Sequence, residues 1–391
     1  MTIELKENGG IPRTLLFTLT IIAGLAVANL YYAQPLLNMI REELKISAFE
    51  VNFIPLLCQI GYASGILFVV PLGDLLYRKK IILFNFAILV VCLLIIAVTG
   101  NLPLILVASF ISGICSVTPQ IFIPIASQYS AQHNKNRNVG IVLGGLLSGI
   151  LLSRVVSGIV GELWGWRAMY YIAAIMMLVC ILVIQYLLPN IPPTFRGKYW
   201  DLMKSIYRLL HQYKELRTHS FRAALVFSSF SCVWACLAFK MKQAPFYAGS
   251  DIVGLIGLCG LGGVVTASLA GRYISRVGVR NFHLIGCFLN LSAWALMYWA
   301  GNSYIGLIVG VILIDIGMQC IQLSNQSSLF QLCPPAANRI NTIFMTMFFF
   351  GGSLGTFFAG TAWQEYQWAG VAGVGAVLTM ASVVFTLSTR E

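Results

Sequence analysis

Apolar residues run along this chain in long blocks separated by short polar connections. In the first half the blocks cover about Arg13–Leu37, Val51–Leu75, Ile81–Thr99, Leu102–Gln128, Val139–Val160 and Ala168–Leu188. In the second they cover about Ala223–Tyr247, Ile252–Ile274, Phe282–Ala300, Tyr304–Leu329, Ile340–Thr361 and Trp368–Leu387. Each block reaches roughly twenty residues or more, and at about 1.5 Å rise per residue that crosses a hydrocarbon core of about 30 Å. Little length remains for a folded soluble domain. The pattern predicts an all-α membrane protein with twelve transmembrane helices.

Composition supports this reading: 58% of the residues are hydrophobic and 10% charged, and mean hydropathy is +0.83. The formal net charge of +12 would suit nucleic acid, but its placement argues for topology instead. Lys6 and Arg13 precede the first block, and Arg78, Lys79, Lys80, Lys135 and Arg137 sit in alternate connections. So do Arg196, Lys198, Lys204, Arg208, Lys214, Arg217, Arg222, Arg272, Arg276, Arg280 and Arg339, with Arg390 at the C-terminus. Only Arg41, Lys45, Arg154, Arg167, Lys240 and Lys242 fall elsewhere. The positive-inside bias then places both termini and the long middle connection in the cytoplasm of a bacterial-type inner membrane, and no nucleic-acid partner is expected. Ala26-Val27-Ala28 resembles a signal-peptidase site. Cleavage there would destroy that topology, so the first block is expected to be retained.

The ten cysteines lie within or at the edges of the blocks without metal-ligand spacing, and read as small apolar packing residues. His133, His211, His219 and His283 all fall at or beyond the block edges, which assigns them to cytoplasmic connections. No metal and no cofactor is expected, and the energy source would be a proton gradient.

The connection 189–222 divides the chain into helical bundles 1–188 and 223–391. Its Tyr199–Leu216 stretch reads either as a simple tether or as an amphipathic surface helix with Trp200, Met203, Ile206, Tyr207 and Leu210 towards lipid. The halves repeat each other. Val70-Pro71-Leu72-Gly73-Asp74-Leu75-Leu76-Tyr77-Arg78-Lys79 follows the second block, and Gly271-Arg272-Tyr273-Ile274-Ser275-Arg276-Val277-Gly278-Val279-Arg280 follows the eighth. A repeat of half the chain is the pattern of transporters whose two bundles rock around a central site.

These two turns resemble the GxLaDRxGRK motif of the major facilitator superfamily, divided between the copies. The first keeps Gly73, Asp74, Arg78 and Lys79. The second keeps Gly271, Arg276, Gly278 and Arg280, with Ser275 at the acidic position. Ala28-Asn29-Leu30-Tyr31-Tyr32-Ala33-Gln34-Pro35, Leu152-Ser153-Arg154, Gly165-Trp166-Arg167, Asp315-Ile316-Gly317-Met318-Gln319 and Asn325-Gln326 resemble a bacterial branch of drug:proton antiporters. The resemblance implies two pseudo-symmetric six-helix bundles, a monomer, and a cavity faced by spans one, four, seven and ten. It also implies gating at Asp74, Arg78 and Arg276, with Asp74 latching the start of span eleven near Asn338.

Polar stripes fit such a cavity. Span ten carries Asp315, Gln319, Gln322 and Gln326 at i, i+4, i+7 and i+11, with Asn325 beside them. Span four carries Ser109, Ser112, Ser116 and Gln120, and span one Tyr31, Gln34 and Asn38. Unsatisfied amides in hydrocarbon are costly, so these stripes face either a cavity or another helix. Asp315 lies near the midplane and is the candidate proton carrier, the alternative being a structural acid. Arg154 cannot shed its charge, and needs a counter-ion, backbone carbonyls, water or an anionic ligand. Of Lys240 and Lys242, two apart, one is expected in the cavity and the other at the headgroups.

The expected activity is therefore proton-coupled export of a small organic molecule by alternating access, with an anionic, carboxylate- or siderophore-like substrate favoured by Arg154 and Lys240. An exporter of lipophilic cations and a proton-coupled importer of organic anions are the alternatives. Tyr31, Gln34, Gln120, Arg154, Lys240, Gln319, Gln322 and Asn325 are the expected substrate contacts. A membrane enzyme would need a nucleophile or metal cluster that the sequence does not present.

Overall fold

The computed structural model describes residues 5–193, 195, 197–333 and 336–389; the side chains of residues 267–273, 275 and 330, with part of the second motif copy among them, lie outside the described set. Among the described residues, 10 helical stretches are long and apolar enough to cross a membrane. One of them, the 52-residue stretch Ala337–Ser388, is two helices joined at Gln367, whose φ of 50° and ψ of −141° interrupt the helix. Those two helices correspond to the last two apolar blocks. The shorter apolar stretch Ser250–Thr266 falls in the eighth.

In chain order the elements are α1 (Arg13–Ala28), α2 (Ala33–Leu44), α3 (Ala48–Phe68), α4 (Leu72–Leu75), α5 (Arg78–Val98), α6 (Leu102–Cys115), α7 (Pro119–Tyr129), α8 (Lys135–Trp164) and α9 (Trp166–Leu187). The second half holds α10 (Tyr199–Gln212), α11 (Lys214–Lys242), α12 (Ser250–Ile256), α13 (Leu261–Val277), α14 (Val279–Trp299), α15 (Tyr304–Leu332) and α16 (Ala337–Ser388). The end carrying the termini, α4 and α10 is called here the basic end.

Three of the predicted continuous spans are broken near their middles. The first divides at residues 29–32, just before Pro35, whose missing N–H cannot continue the preceding turn. The fourth divides before Pro119, which opens α7 in the position proline tolerates best. The eighth passes through a 3₁₀ turn at Gly257–Gly260. Broken helices release backbone groups, which membranes tolerate where they line a cavity or are covered by protein.

The two halves touch closely at the end opposite the basic one. Ser250 Oγ of α12 donates to the Gly158 carbonyl of α8 at 2.9 Å, and Ser250 N to Glu162 Oε2 at 3.0 Å. Arg41 lies 5.6 Å over the Phe239 ring, and Thr356 Oγ1 of α16 donates to Gln59 Oε1 of α3 at 3.5 Å. Phe49 and Phe357 pack edge to face at 5.8 Å. At the basic end both halves line a vestibule that holds Asp74, Arg78, Gln120, Asn338 and Asn341.

Helix α10 lies against this vestibule and corrects the lipid-facing expectation at Ile206. Leu202, Ile206 and Leu209 are buried against protein, while Trp200 and Tyr207 are exposed. Tyr199 Oη donates to the Phe68 carbonyl at 3.0 Å, and Arg339 Nη1 to Ser205 Oγ at 3.1 Å. The helix thus binds one element from each half.

Candidate functional site

A cavity with a water-accessible volume of ≈ 110 Å³ lies between the halves. The breaks in the first, fourth and eighth spans feed it. Tyr31 comes from the turn between α1 and α2, Gln120 from the start of α7, and Gly260 from the turn before α13. Unbroken α8 supplies Arg154, and α15 supplies Asp315, Gln319 and Gln322. Aromatic and methionine side chains complete the wall: Phe227 and Phe230 from α11, Met318 from α15, and Met345, Phe348 and Phe349 from α16.

Arg154 is 2% exposed. Its guanidinium carbon sits 3.7 Å over the Trp234 ring and 5.0 Å from the Tyr31 ring centroid, and its Nε donates to Gln34 Oε1 at 2.8 Å. Cation–π attraction to an indole face contributes about 2 kcal/mol when desolvated, so the stack holds the charge without neutralising it. The terminal nitrogens Nη1 and Nη2 have no protein acceptor among the described residues. Asp315 is buried on the same cavity, and its Oδ2 has no hydrogen-bond partner. No ion pair joins Asp315 to Arg154 among the described residues. Gly257 makes room for Arg154, since a Cβ there would stand 3.0 Å from Arg154 Cβ and 3.2 Å from its Cδ, while one at Gly260 would meet Leu151 Cδ2 at 2.4 Å. Trp234 Nε1 is a further buried donor without a partner.

A neck separates cavity from vestibule. Tyr62 and Phe349 meet edge to face at 4.6 Å, and Gln120 Nε2 donates to Tyr62 Oη at 3.3 Å. Gln120 lines both spaces.

Tyr31, Gln120, Arg154, Asp315, Gln319 and Gln322 therefore share one cavity, and Gln34 reaches it through Arg154. Two expected contacts lie elsewhere. Lys240 donates to Asn302 Oδ1 at 2.6 Å on its own half, and Lys242 stands 3.9 Å from Glu42. The expected second positive charge is thus absent from the described cavity wall, because a loop acceptor draws Lys240 away. Asn325 is the other correction. It is fully buried among α11, α14 and α15, accepting from His219 Nδ1 at 2.7 Å and donating to His283 Nδ1 at 3.0 Å. His283 Nε2 continues to Ser382 Oγ at 3.1 Å. Both histidines were expected in connections. Helix α11 begins well before its apolar block and carries His219 into the bundle, while His283 lies just inside its own block near the start of α14.

Asn325→Ala would strand His219 Nδ1–H and the His283 Nδ1 lone pair. It is expected to lower stability by about 2–3 kcal/mol, read as a drop in the unfolding midpoint in detergent. Ligand-induced stabilisation should stay intact, since the amide lies outside the cavity.

The serines of the fourth span serve helix packing. Ser112 and Ser116 donate to Ser109 and Ser112 carbonyls at 2.8 and 2.7 Å. Of the gating set, Arg78 is buried and donates to Gly73 O at 3.1 Å and Gln128 Oε1 at 3.0 Å, and Asp74 pairs with it at 3.5 Å. Asp74 and Asn338 line the same vestibule. Arg276 is exposed at the end of α13. Near the end opposite the basic one, Trp164 and Tyr366 are exposed, whereas Trp166 Nε1 donates to Glu43 Oε2 at 2.7 Å and Trp368 Nε1 to Met297 O at 2.9 Å. Sequence reasoning missed Trp234, Tyr62 and the phenylalanine wall. The one available signal was the spacing of Phe227, Phe230 and Trp234 at i, i+3 and i+7.

The model of the Major Facilitator Superfamily matches residues 16–249. The chain is 32% identical over 379 residues to the "Uncharacterized transporter YgaY" of Escherichia coli O157:H7, covering 97% of this chain and 96% of that protein. It is 28% identical over 369 residues to the "Probable transporter SCO4007" of Streptomyces coelicolor, covering 94% and 85%. The crystal structure of the nucleoside transporter NupG superposes with a TM-score of 0.74 at 16% identity, covering 96% of this chain and 98% of that one. With helices that cross the membrane many times, a cavity between its halves and a family match over most of its first two thirds, the chain belongs to the major facilitator superfamily and is a membrane transporter, not an enzyme.

Proposed function

We propose that the protein is a proton-coupled secondary transporter of a small organic anion, with the basic end in the cytoplasm of the inner membrane. The observation that carries this reading is Arg154, a buried permanent charge with two donor nitrogens unpaired in a cavity whose walls are aromatic. Buried donors without acceptors are expensive, and a carboxylate matches a guanidinium through two parallel hydrogen bonds. The aromatic and methionine walls suit an apolar or ring-bearing body. Closure at the end opposite the basic one, with a vestibule at the basic end, supports a chain poised towards the cytoplasm in an alternating cycle.

A second reading rests on Asp315 Oδ2, the unpaired acceptor on the same wall. With those aromatics it suits a lipophilic cation, as in a multidrug exporter. The two readings part in a thermal-unfolding panel of the purified chain in detergent, with carboxylates, siderophores and lipophilic cations as ligands. A ligand that binds the folded state at about a hundred times its Kd stabilises it by about 2.7 kcal/mol. Stabilisation by anions that vanishes in Arg154→Ala is the expected result. Stabilisation by cations alone would leave Arg154 structural and move the site to Asp315.

A further inference from the structure

We infer that the substrate anion and a proton occupy the cavity together, so that the carrier cotransports an anion with a proton, the proton residing on Asp315. This rests on the anion reading of the cavity. The basis is a charge count. Among the described lining residues the charged side chains are Arg154 from α8 and Asp315 from α15. The other titratable groups near them are Tyr31 of the α1–α2 turn, Tyr62 of α3 and Cys259 of the turn before α13. The wall residues of α11 and α16 add aromatic and methionine surface without charge. Lys240 bonds Asn302 instead, and His219 and His283 are engaged by Asn325 beyond the cavity wall.

Arg154 keeps its charge at any physiological pH. With Asp315 ionised, the site sums to zero, and an entering carboxylate would leave it with a net negative charge in a low-dielectric enclosure. With Asp315 protonated, the site is cationic and the anion neutralises it. Protonation also turns Oδ2 or its partner oxygen into a donor, so one carboxyl can hydrogen-bond the ligand that it would otherwise repel. Arg154 and Asp315 line the same cavity without a direct pair among the described residues, so a ligand in that cavity faces both. Linkage is reciprocal: whatever factor the proton adds to anion affinity, the anion adds to proton affinity. Antiport requires the opposite, competition between substrate and proton for one carboxylate, which a cation provides and an anion does not. With an inward proton gradient and the basic end inside, cotransport runs as uptake. This shifts the direction from the export expected of the sequence to its importer alternative.

Benzoate, which stays ionised above about pH 5.5, is a suitable probe, with benzamide as the uncharged control and tetraphenylphosphonium as the cation. Calorimetry of the full chain in detergent, at several pH values and in two buffers of different ionisation enthalpy, gives affinity and protons exchanged. Benzoate affinity is expected to fall by about tenfold per pH unit above the Asp315 midpoint, with about one proton taken up per benzoate bound. Asp315→Asn, close in shape, should bind benzoate with an affinity that no longer follows pH and without proton uptake. Affinity that rises with pH, or proton release on binding, would overturn cotransport while leaving the anion site standing. So would pH-independent binding by the wild type. Binding of tetraphenylphosphonium with none of benzoate at any pH would overturn the anion reading itself, and cotransport with it.

Discussion

Arg154→Ala is expected to weaken anion binding by roughly a hundredfold or more and to abolish anion transport. The loss has two sources. The anion forfeits charge-assisted, paired hydrogen bonds, and truncating one member of a buried charge pair costs about 2–5 kcal/mol. The cavity also loses its positive charge, because Asp315 then stands as the one carboxylic acid of the described wall and is neutral at best. Arg154→Lys separates these contributions. An ammonium keeps the positive charge but lacks the planar surface that lies 3.7 Å over Trp234 and the fork that reaches Gln34 and the ligand at once. It should therefore retain part of the affinity and lose selectivity for planar carboxylates over chloride or phosphate. Equilibrium binding of benzoate and flux in proteoliposomes check both. Wild-type affinity in Arg154→Ala, with the fold intact by thermal unfolding, would remove the anion site.

The positions of the membrane helices were legible because hydropathy registers burial in lipid directly. Even the division of α16 at Gln367 fell between the predicted blocks Ile340–Thr361 and Trp368–Leu387. Much of the site was legible too, because a polar side chain within an apolar block has few places to go. The span-ten stripe shows where that logic holds and where it fails. At about 100° per residue, Gln319 and Gln322 lie within about 40° of Asp315, and all three line the cavity. Asn325, ten residues on, is turned about 80° away, which carries it to His219 and His283. Placing Asn325 beside the stripe and still expecting it to touch substrate overlooked that angle. Lys240 failed differently: its acceptor, Asn302, lies in a distant connection, and no local pattern reports a contact of that kind. Tyr62 and Phe349 are invisible for the opposite reason, since aromatic wall and aromatic core have the same composition.

Gly158→Leu is expected to leave the protein folded and inserted but to stop transport, by holding the cavity open at the end opposite the basic one. A Cβ at Gly158 would stand 2.4 Å from the Ser250 carbonyl oxygen and 3.1 Å from Gly254 Cα. Both are backbone atoms, so no rotamer change relieves the clash. The reverse contact is as tight: a Cβ at Gly254 would lie 2.4 Å from the Arg154 carbonyl oxygen. Overpacking typically costs about 1–3 kcal/mol, and a leucine here adds three more carbons to the same seam. The penalty falls on one conformation, because α8 and α12 belong to different halves and separate when this end opens. Two transport conformations typically differ by a few kcal/mol, so such a penalty is enough to invert their populations. A cysteine at Gln319, on the cavity wall, reports the change. An impermeant maleimide added from the end opposite the basic one should label it in Gly158→Leu and spare it in the otherwise native chain. Ser250→Ala, which loses the hydroxyl bonds to Gly158 O and Glu162 Oε2 but keeps the backbone bond to Glu162 and adds no bulk, should label at an intermediate rate. Wild-type flux in Gly158→Leu, or equal labelling of the two proteins, would mean that this seam does not move in the cycle.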